Sequence, residues 1–317
     1  MKVLHITNNY PTEKFPIFGI FVKEQIDSLT ELGVENEVFF IKGREKGKLE
    51  YIKSVFRLRK LLSKQYFDII HCHHVFSALC LLLSGQVKKN NSIVSYQSDL
   101  HNEKGKFIYR LIKKYFKIII LKNGSSPSMD RQVHFQSNGV NVDFFKPMNQ
   151  DYCFKRINLQ PNKKYILFVS SSLDRKVKRY DRFQQIMQIL KEKYYLKDIE
   201  ELKLINTERS LVPYYFNAAN VHLLTSDFEG SPNSVKEAMA CNIPVVSTNV
   251  GNVNELLQHV NGSYVSETTN PEELAELVYK TLTENTANNG REQLIKQELD
   301  MESVAKKIIN IYHKIVD

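Results

Sequence analysis

Short runs of β-branched and apolar residues alternate along the chain with longer stretches in which apolar positions recur every three or four residues. Runs at 3–7, 36–41, 68–71, 92–96 and 117–121 read as strands, and stretches at about 18–32, 49–64, 75–83 and 104–114 read as helices. The strands lack the in-out alternation of a half-exposed sheet, so the rhythm predicts β-α-β units around a buried parallel sheet. It restarts after Pro147, with strands at 165–170, 201–205, 221–224, 244–247 and 262–265. Helices are expected near 180–194 and 212–219, and from Pro271, where Glu272 and Glu273 occupy a first turn favourable to the dipole. A polar loop is predicted over 283–290 and a last amphipathic helix over about 302–316.

Length supports two such units. A chain of 317 residues exceeds what one core usually holds, about 250–300 residues. The expected division is 1–150, 151–300 and a closing helix in 301–317. Composition, with 42% hydrophobic and 25% charged residues, is that of a globular protein. The greasiest stretch, 76–83, is far short of the ~20 residues of a membrane span. The opening Met-Lys-Val-Leu-His-Ile reads as a first strand, without the longer apolar core of a signal peptide. Cys72, Cys80, Cys153 and Cys241 show no paired spacing and suit a reducing cytoplasm.

Charge separates the halves. Residues 1–150 hold 23 Lys and Arg against 13 Asp and Glu, whereas 151–317 hold 21 against 22. Lys53, Arg57, Lys60 and Lys64 recur along one helix face, as do Lys106, Arg110, Lys113 and Lys117. Such stripes are consistent with a solvated polar face, with contact to an anionic membrane, or with nucleic acid. No nucleic-acid module accompanies them, and nucleic acid is not expected as a partner.

The stretch from Ser226 to Thr248 carries the most chemistry. Ser231 reads as an N-cap and Pro232 as the first helical residue, leaving the amides of Asn233 and Ser234 unpaired at the positive end of a helix. Such a turn is a phosphate cradle. Glu237, four residues past Asn233, projects from the same face within reach of a hydroxyl-rich group such as a ribose. Glu229 precedes the turn by two residues.

These residues resemble the donor-site signature of family 4 glycosyltransferases of the GT-B type, over Pro213 through Gly251. Similar segments follow the family order elsewhere. They are Val3-Leu-His-Ile-Thr with the glycine loop at Gly19, Phe67-Asp-Ile-Ile-His71-Cys-His73-His74, and Ser137-Asn-Gly-Val140 through Pro147. The resemblance implies an α/β fold with two Rossmann-like domains facing a cleft and a C-terminal helix packing back on the first. It also implies that Glu237 holds the ribose of a nucleotide sugar, that Glu229 sits by the transferred sugar, and that the Ser231 turn binds the diphosphate. Retention at the anomeric carbon is a further implication.

The strand 165–170 leads into Ser172-Leu-Asp-Arg175-Lys-Val-Lys178-Arg. Ligands of open α/β sheets bind beyond the carboxyl ends of strands, so these cations stand over the same crevice as the Ser231 turn. Fixed positive charge there would stabilise a departing diphosphate. Arg175 and Lys178 best match the family's arginine and lysine pair, with Lys176 and Arg179 as spares.

His71, Cys72, His73 and His74 lack a partner at ligand spacing, and no metal is expected. His73 or His74 could bond a sugar hydroxyl. The family's acceptor-side histidine is missing; Gln97 occupies its approximate position, followed by Asp99. The expectation is a cytoplasmic glycosyltransferase without cofactor, taking a UDP- or GDP-type sugar to a hydroxyl of a glycan or lipid-linked acceptor in surface polysaccharide synthesis. An anionic membrane surface is a candidate partner. The alternatives are a silent nucleotide-sugar-binding protein and a nucleotide-sugar epimerase of the same fold.

Overall fold

The structure, a computed structural model, describes residues 1–87, 91–96, 103–122, 130–284 and 286–316, without the side chains of residues 103 and 104. Two compact units divide the chain. The first is Met1–Gly139 with Met301–Asp317, and the second is Val140–Asp300. The division falls at Gly139/Val140, ahead of position 150, because Val140 bridges Asp300 and Phe145 is buried in the second unit's core.

Strands of the first unit are β1 (Lys2–Thr7), β2 (Glu35–Phe40), β3 (Ile69–His73), β4 (Ser92–Tyr96), β5 (Ile118–Leu121) and β6 (Val133–Phe135). Its helices are α1 (Ile20–Glu31), the short α2 (Gly43–Lys46), α3 (Leu49–Leu62), α4 (Val75–Leu83) and α5 (Glu103–Tyr115). The second unit contains α6 (Gln150–Arg156), β7 (Lys164–Ser170), α7 (Tyr180–Glu192), β8 (Ile199–Ile205), α8 (Val212–Ala218) and β9 (Val221–Leu224). It continues through α9 (Asn233–Ala240), β10 (Val245–Thr248), α10 (Val253–Leu257), β11 (Tyr264–Ser266), α11 (Pro271–Glu284) and α12 (Gly290–Lys296). The last helix, α13 (Met301–Val316), returns to the first unit.

Both sheets are wholly parallel. The first runs β2-β1-β3-β4-β5-β6 and the second β8-β7-β9-β10-β11. Each therefore reverses its direction of growth between its first and third strands, β1/β3 and β7/β9. At such a switch point the loops leaving the two strands diverge and open a crevice beyond their carboxyl ends. The expected α/β fold with two such domains is the fold observed. Sequence reading missed β6 and the short helices α2, α6, α10 and α12, the last of which begins where the predicted loop 283–290 ends.

Helix α13 belongs to the first core for a plain reason. Val304, Ala305, Ile308, Ile311 and Tyr312 recur at helical spacing and bury against Val3, Leu29, Ile69 and Ile93. Tyr312 is fully buried, and its hydroxyl meets His71 Nδ1 at 2.6 Å. His71 Nε2 lies 2.8 Å from Ser95 Oγ, which joins α13 to the centre of the sheet. His5 extends the network. Its Nε2 donates to Asn36 Oδ1 (2.8 Å), which leaves Nδ1 to accept from His73 Nε2 (3.0 Å).

Burial lowers the His5 imidazole to about 4, and pushes His71 and His73 well below the usual histidine range. In the unfolded chain they titrate near 6.5, so acid protonates the unfolded state first. Their stabilisation is complete above about pH 6.5 and is lost as the pH falls below it, for His5 down through about 4. Urea midpoints followed across this range are expected to hold steady above neutrality and to fall steeply below it. A flat profile down to pH 4.5 would contradict the neutral network.

Candidate functional site

The second unit's switch point brings the loop after β7 against the loop after β9. Thr225 Oγ1 lies 2.9 Å from the Lys178 carbonyl and 3.1 Å from that of Arg179, and the Asp227 amide donates to the Val177 carbonyl. Arg182, on α7, is buried; it donates to the Thr225 carbonyl at 2.7 Å and to Asp227 Oδ1 at 2.8 Å. Arg179 takes a left-handed backbone (φ 51°) at the start of α7 and pairs with Asp181 and Asp227. Those contacts fix the two loops as one piece.

On that piece Lys178 Nζ meets Glu229 Oε1 at 2.6 Å, and Ser226 Oγ donates to the same oxygen at 2.7 Å. Oε2 of Glu229 has no hydrogen-bond partner among the described residues. Arg175 lies at the edge of the loop, exposed, with no ion pair among the described residues. Of the two proposed cations, Lys178 is the one brought to Glu229.

Helix α9 starts one residue later than the sequence suggested. Pro232 takes the N-cap place with extended backbone (φ −68°, ψ 120°), and no side chain caps the turn. Ser231 therefore stands one residue outside the helix. Its hydroxyl, like Oδ1 of Asn233 and of Asn252, is buried without a partner among the described residues. Ser234 turns its side chain inward, and its hydroxyl lies 3.1 Å from His222 Nε2. The other ring nitrogen of His222 faces the Leu167 carbonyl at 3.1 Å and must carry the proton, so Nε2 accepts from Ser234. Of Ser234, only the backbone amide is left to face a ligand. Gly251 backs the turn with φ 57°, and a Cβ there would come within 2.2 Å of the Gly230 carbonyl oxygen. No other residue could pass so close.

Glu237 lies one turn into α9. Arg209 Nη1 donates to its Oε1 at 3.0 Å, while the guanidinium packs over the rings of Phe145 (4.8 Å) and Phe144 (5.3 Å). Oε2 has no partner among the described residues, so the carboxylate is held in place with one oxygen still open. Neither Arg209 nor Arg182 was singled out from the sequence, where both stood in loop or helix contexts that give no chemical signal by themselves. Asp227 was inside the recognised motif but had no assigned role.

In the first unit the β1/β3 switch point collects Asn8, Gly19 and His74. Gly19 is left-handed (φ 72°), and a Cβ would fall 2.3 Å from the Asn9 carbonyl, so the β1–α1 loop closes on itself only with glycine there. His73 is buried in the core network and bonded to His5, which corrects its placement on the acceptor side: even-odd alternation along β3 turns it inward. Its ring stacks on His71 at 4.3 Å. His74 leaves the strand with φ 78°, a strained conformation for histidine, and its Nε2 is buried without a partner among the described residues. Burial, and to a smaller extent the charge of Lys122 just past β5, pulls His74 down to about 4. Burial likewise brings the Lys122 ammonium down to about 7. Gln97 and Asp99 lie outside the described residues.

Nitrogens of His5, His71 and His73 fall within 4.8 Å of one another, close enough for a metal ion. Both nitrogens of His5 and of His71 are already committed to Asn36, His73, Tyr312 and Ser95. A bound ion would have to break those bonds, so the cluster fits a structural network better than a ligand set.

Comparison with known proteins agrees with this arrangement. The family described as "Glycosyl transferases group 1" matches residues 163–284, and "Glycosyl transferase 4-like" matches 22–123. A "Probable sucrose-phosphate synthase" of Thermosipho melanesiensis is 29% identical over 212 residues, 59% of this chain and 49% of that protein. The chain thus spans about half the length of that relative. Among solved structures, sucrose-phosphate synthase of Thermosynechococcus elongatus superposes with a TM-score of 0.78 at 15% identity, covering 99% of this chain and 98% of that one. Anabaena HepE, solved with UDP and glucose, superposes with a TM-score of 0.71 at 15% identity, covering 98% and 99%. One glycosyltransferase family model thus matches within each unit, and the fold of the chain is the GT-B fold of these solved structures.

Proposed function

We propose that the enzyme transfers a sugar from a nucleoside diphosphate sugar to a hydroxyl group of a glycan or lipid-linked acceptor, in the assembly of a surface polysaccharide. The observation that carries the donor assignment is the convergence of three features at one switch point. The Lys178–Glu229 pair, the open amides of α9 and the half-engaged Glu237 carboxylate all belong to the segments that follow β7, β8 and β9 in the second unit. HepE, solved with UDP and glucose, supports a nucleotide sugar as donor.

In this reading the diphosphate rests on the amides of Asn233 and Ser234, where the helix dipole favours negative charge. Oε2 of Glu237 accepts from ribose hydroxyls while Arg209 keeps the carboxylate oriented. Transfer breaks the bond between the anomeric carbon and the phosphate oxygen, and the acceptor oxygen bonds to that carbon as its hydroxyl proton passes to the departing diphosphate. Lys178 stands where negative charge grows on the leaving diphosphate, with Arg175 able to reach in from the loop edge. Glu229, held by Lys178 and Ser226, lines the place of the transferred sugar. No cofactor or metal enters the scheme. Acceptor recognition is assigned to the first unit, with His74 as the side chain offering an unused nitrogen to a sugar hydroxyl.

Two substitutions separate binding from turnover. Glu237→Ala is expected to weaken nucleotide-sugar binding by about 10- to 150-fold, since a hydrogen bond to a charged group contributes roughly 1.5–3 kcal/mol. Calorimetric titration with UDP- and GDP-sugars checks this, and unchanged affinity would remove Glu237 from the site.

Lys178→Ala is expected to lower kcat by about two orders of magnitude with a smaller change in KM, the range for one preorganised electrostatic group. Arg175→Ala should lose less, because its side chain is exposed and unanchored. Release of nucleoside diphosphate, followed with and without acceptor, measures both. Wild-type turnover in the Lys178 variant would refute the leaving-group role, and absence of any release across a donor panel would favour a silent binding protein.

A further inference from the structure

Helices of a β-α-β unit run antiparallel to its strands, so their first turns stand at the carboxyl edge of the sheet, where ligands bind. Direct contacts place α3 and α4 there. Asn8, just past β1, donates to the hydroxyl of Tyr51 in the first turn of α3 (3.4 Å), and the Tyr51 ring lies 5.8 Å from that of Phe76 in the first turn of α4. Phe76 in turn follows His74 by two residues. Around this edge the first unit carries large apolar side chains facing water. They are Leu49, Ile52 and Phe56 on α3, Phe76 on α4 and Phe107 near the start of α5, between 58% (Ile52) and 68% (Phe56, Phe107) exposed. On α3 they recur at helical spacing, i, i+3 and i+7.

Cations flank them. Lys53, Lys60, Lys106 and Arg110 are exposed and have no ion-pair partner among the described residues. Three other members of the two stripes are engaged: Arg57 bonds the buried Glu50, Lys113 bonds Asp130, and Lys117 bonds Asn91. What remains is an apolar rim edged by free positive charge. A solvated face would not carry five exposed apolar residues at one edge, and single scattered ones would need no explanation.

We propose that this rim of α3, α4 and α5 seats in the headgroup layer of an anionic bilayer, with Leu49, Ile52, Phe56, Phe76 and Phe107 entering the acyl boundary. Lys53, Lys60, Lys106 and Arg110 meet lipid phosphates. The inference deepens the reading of a lipid-linked acceptor, because it sets the bilayer surface beside His74, where a membrane-held acceptor would present its hydroxyl. Electrostatic attraction brings the face to the membrane and apolar burial holds it, so binding should survive salt in part.

The chain contains no tryptophan, which makes insertion directly readable. Phe107→Trp and Phe56→Trp are titrated with phosphatidylglycerol/phosphatidylcholine vesicles and with pure phosphatidylcholine. Leu83→Trp, at the far end of α4, serves as the reporter of a face that stays in water. A blue shift and quenching by brominated lipid are expected at positions 107 and 56 with anionic vesicles, and neither at 83. The combined Ile52→Ser and Phe76→Ser variant should lower the vesicle partition coefficient by at least about tenfold, equivalent to about 1.4 kcal/mol.

Sugar release from a soluble donor without vesicles should be unchanged in that variant. Normal donor turnover with no blue shift would overturn the docking proposal and leave the donor assignment standing. A concentration-dependent dimer in sedimentation velocity, abolished by Ile52→Ser with Phe76→Ser and unaccompanied by vesicle binding, would assign the face to a second copy and equally overturn it.

Discussion

The placing of Lys178 against Glu229 hangs on the fastening of the loop after β7 to the loop after β9. Two strands that neighbour each other at a switch point send their loops apart, and nothing in the strands themselves sets how the loops meet. Here the buried guanidinium of Arg182 does so, spanning Thr225 and Asp227 from the helix beneath. Thr225 and the Asp227 amide reach back to the backbone of 177–179. The guanidinium is buried and would be costly to leave without these partners, so the arrangement is stiff. That stiffness matters chemically, because a cation fixed before the reaction stabilises developing charge without reorganising during it.

The first unit uses neutral groups for a comparable purpose. Three imidazoles would be a liability in a parallel sheet if any were charged, and each is kept neutral by burial and placed by a hydrogen bond. The bond from His71 to Tyr312 ties the chain's last helix to the centre of the first sheet. The chain leaves the first unit at Gly139 and comes back at Met301, so that tie closes the first unit around a segment supplied after the second has been made.

Much of this was legible in the sequence, and the failures have physical causes. Apolar runs and helical periodicity located most strands and helices to within a few residues. Helix α12 was missed because its seven residues, following the polar stretch 283–290, are too few to show a helical period. Gly290 is a contact residue: a Cβ there would come within 2.9 Å of Met239 Cα, so glycine lets α12 lie close against α9. Strand β6 is three residues long and carries no pattern of its own. In the site, the motif gave Glu229, Glu237 and the α9 turn, because their spacing along one helix start is a local property. It misjudged the cap by one residue and missed Arg209 and Arg182, whose roles arise only when distant segments meet. His73 was misassigned because a histidine beside a strand end reads the same whether it faces the core or the crevice.

The central claim is that the turn before α9 and Glu237 together seat a nucleotide. A crystal structure of the protein soaked with UDP or GDP tests it most directly. The account predicts diphosphate oxygens at about 3 Å from the amides of Asn233 and Ser234, with ribose hydroxyls on Oε2 of Glu237 and Arg209 still bonded to Oε1. A nucleotide bound elsewhere on the chain, or a ribose turned away from Glu237, would contradict it.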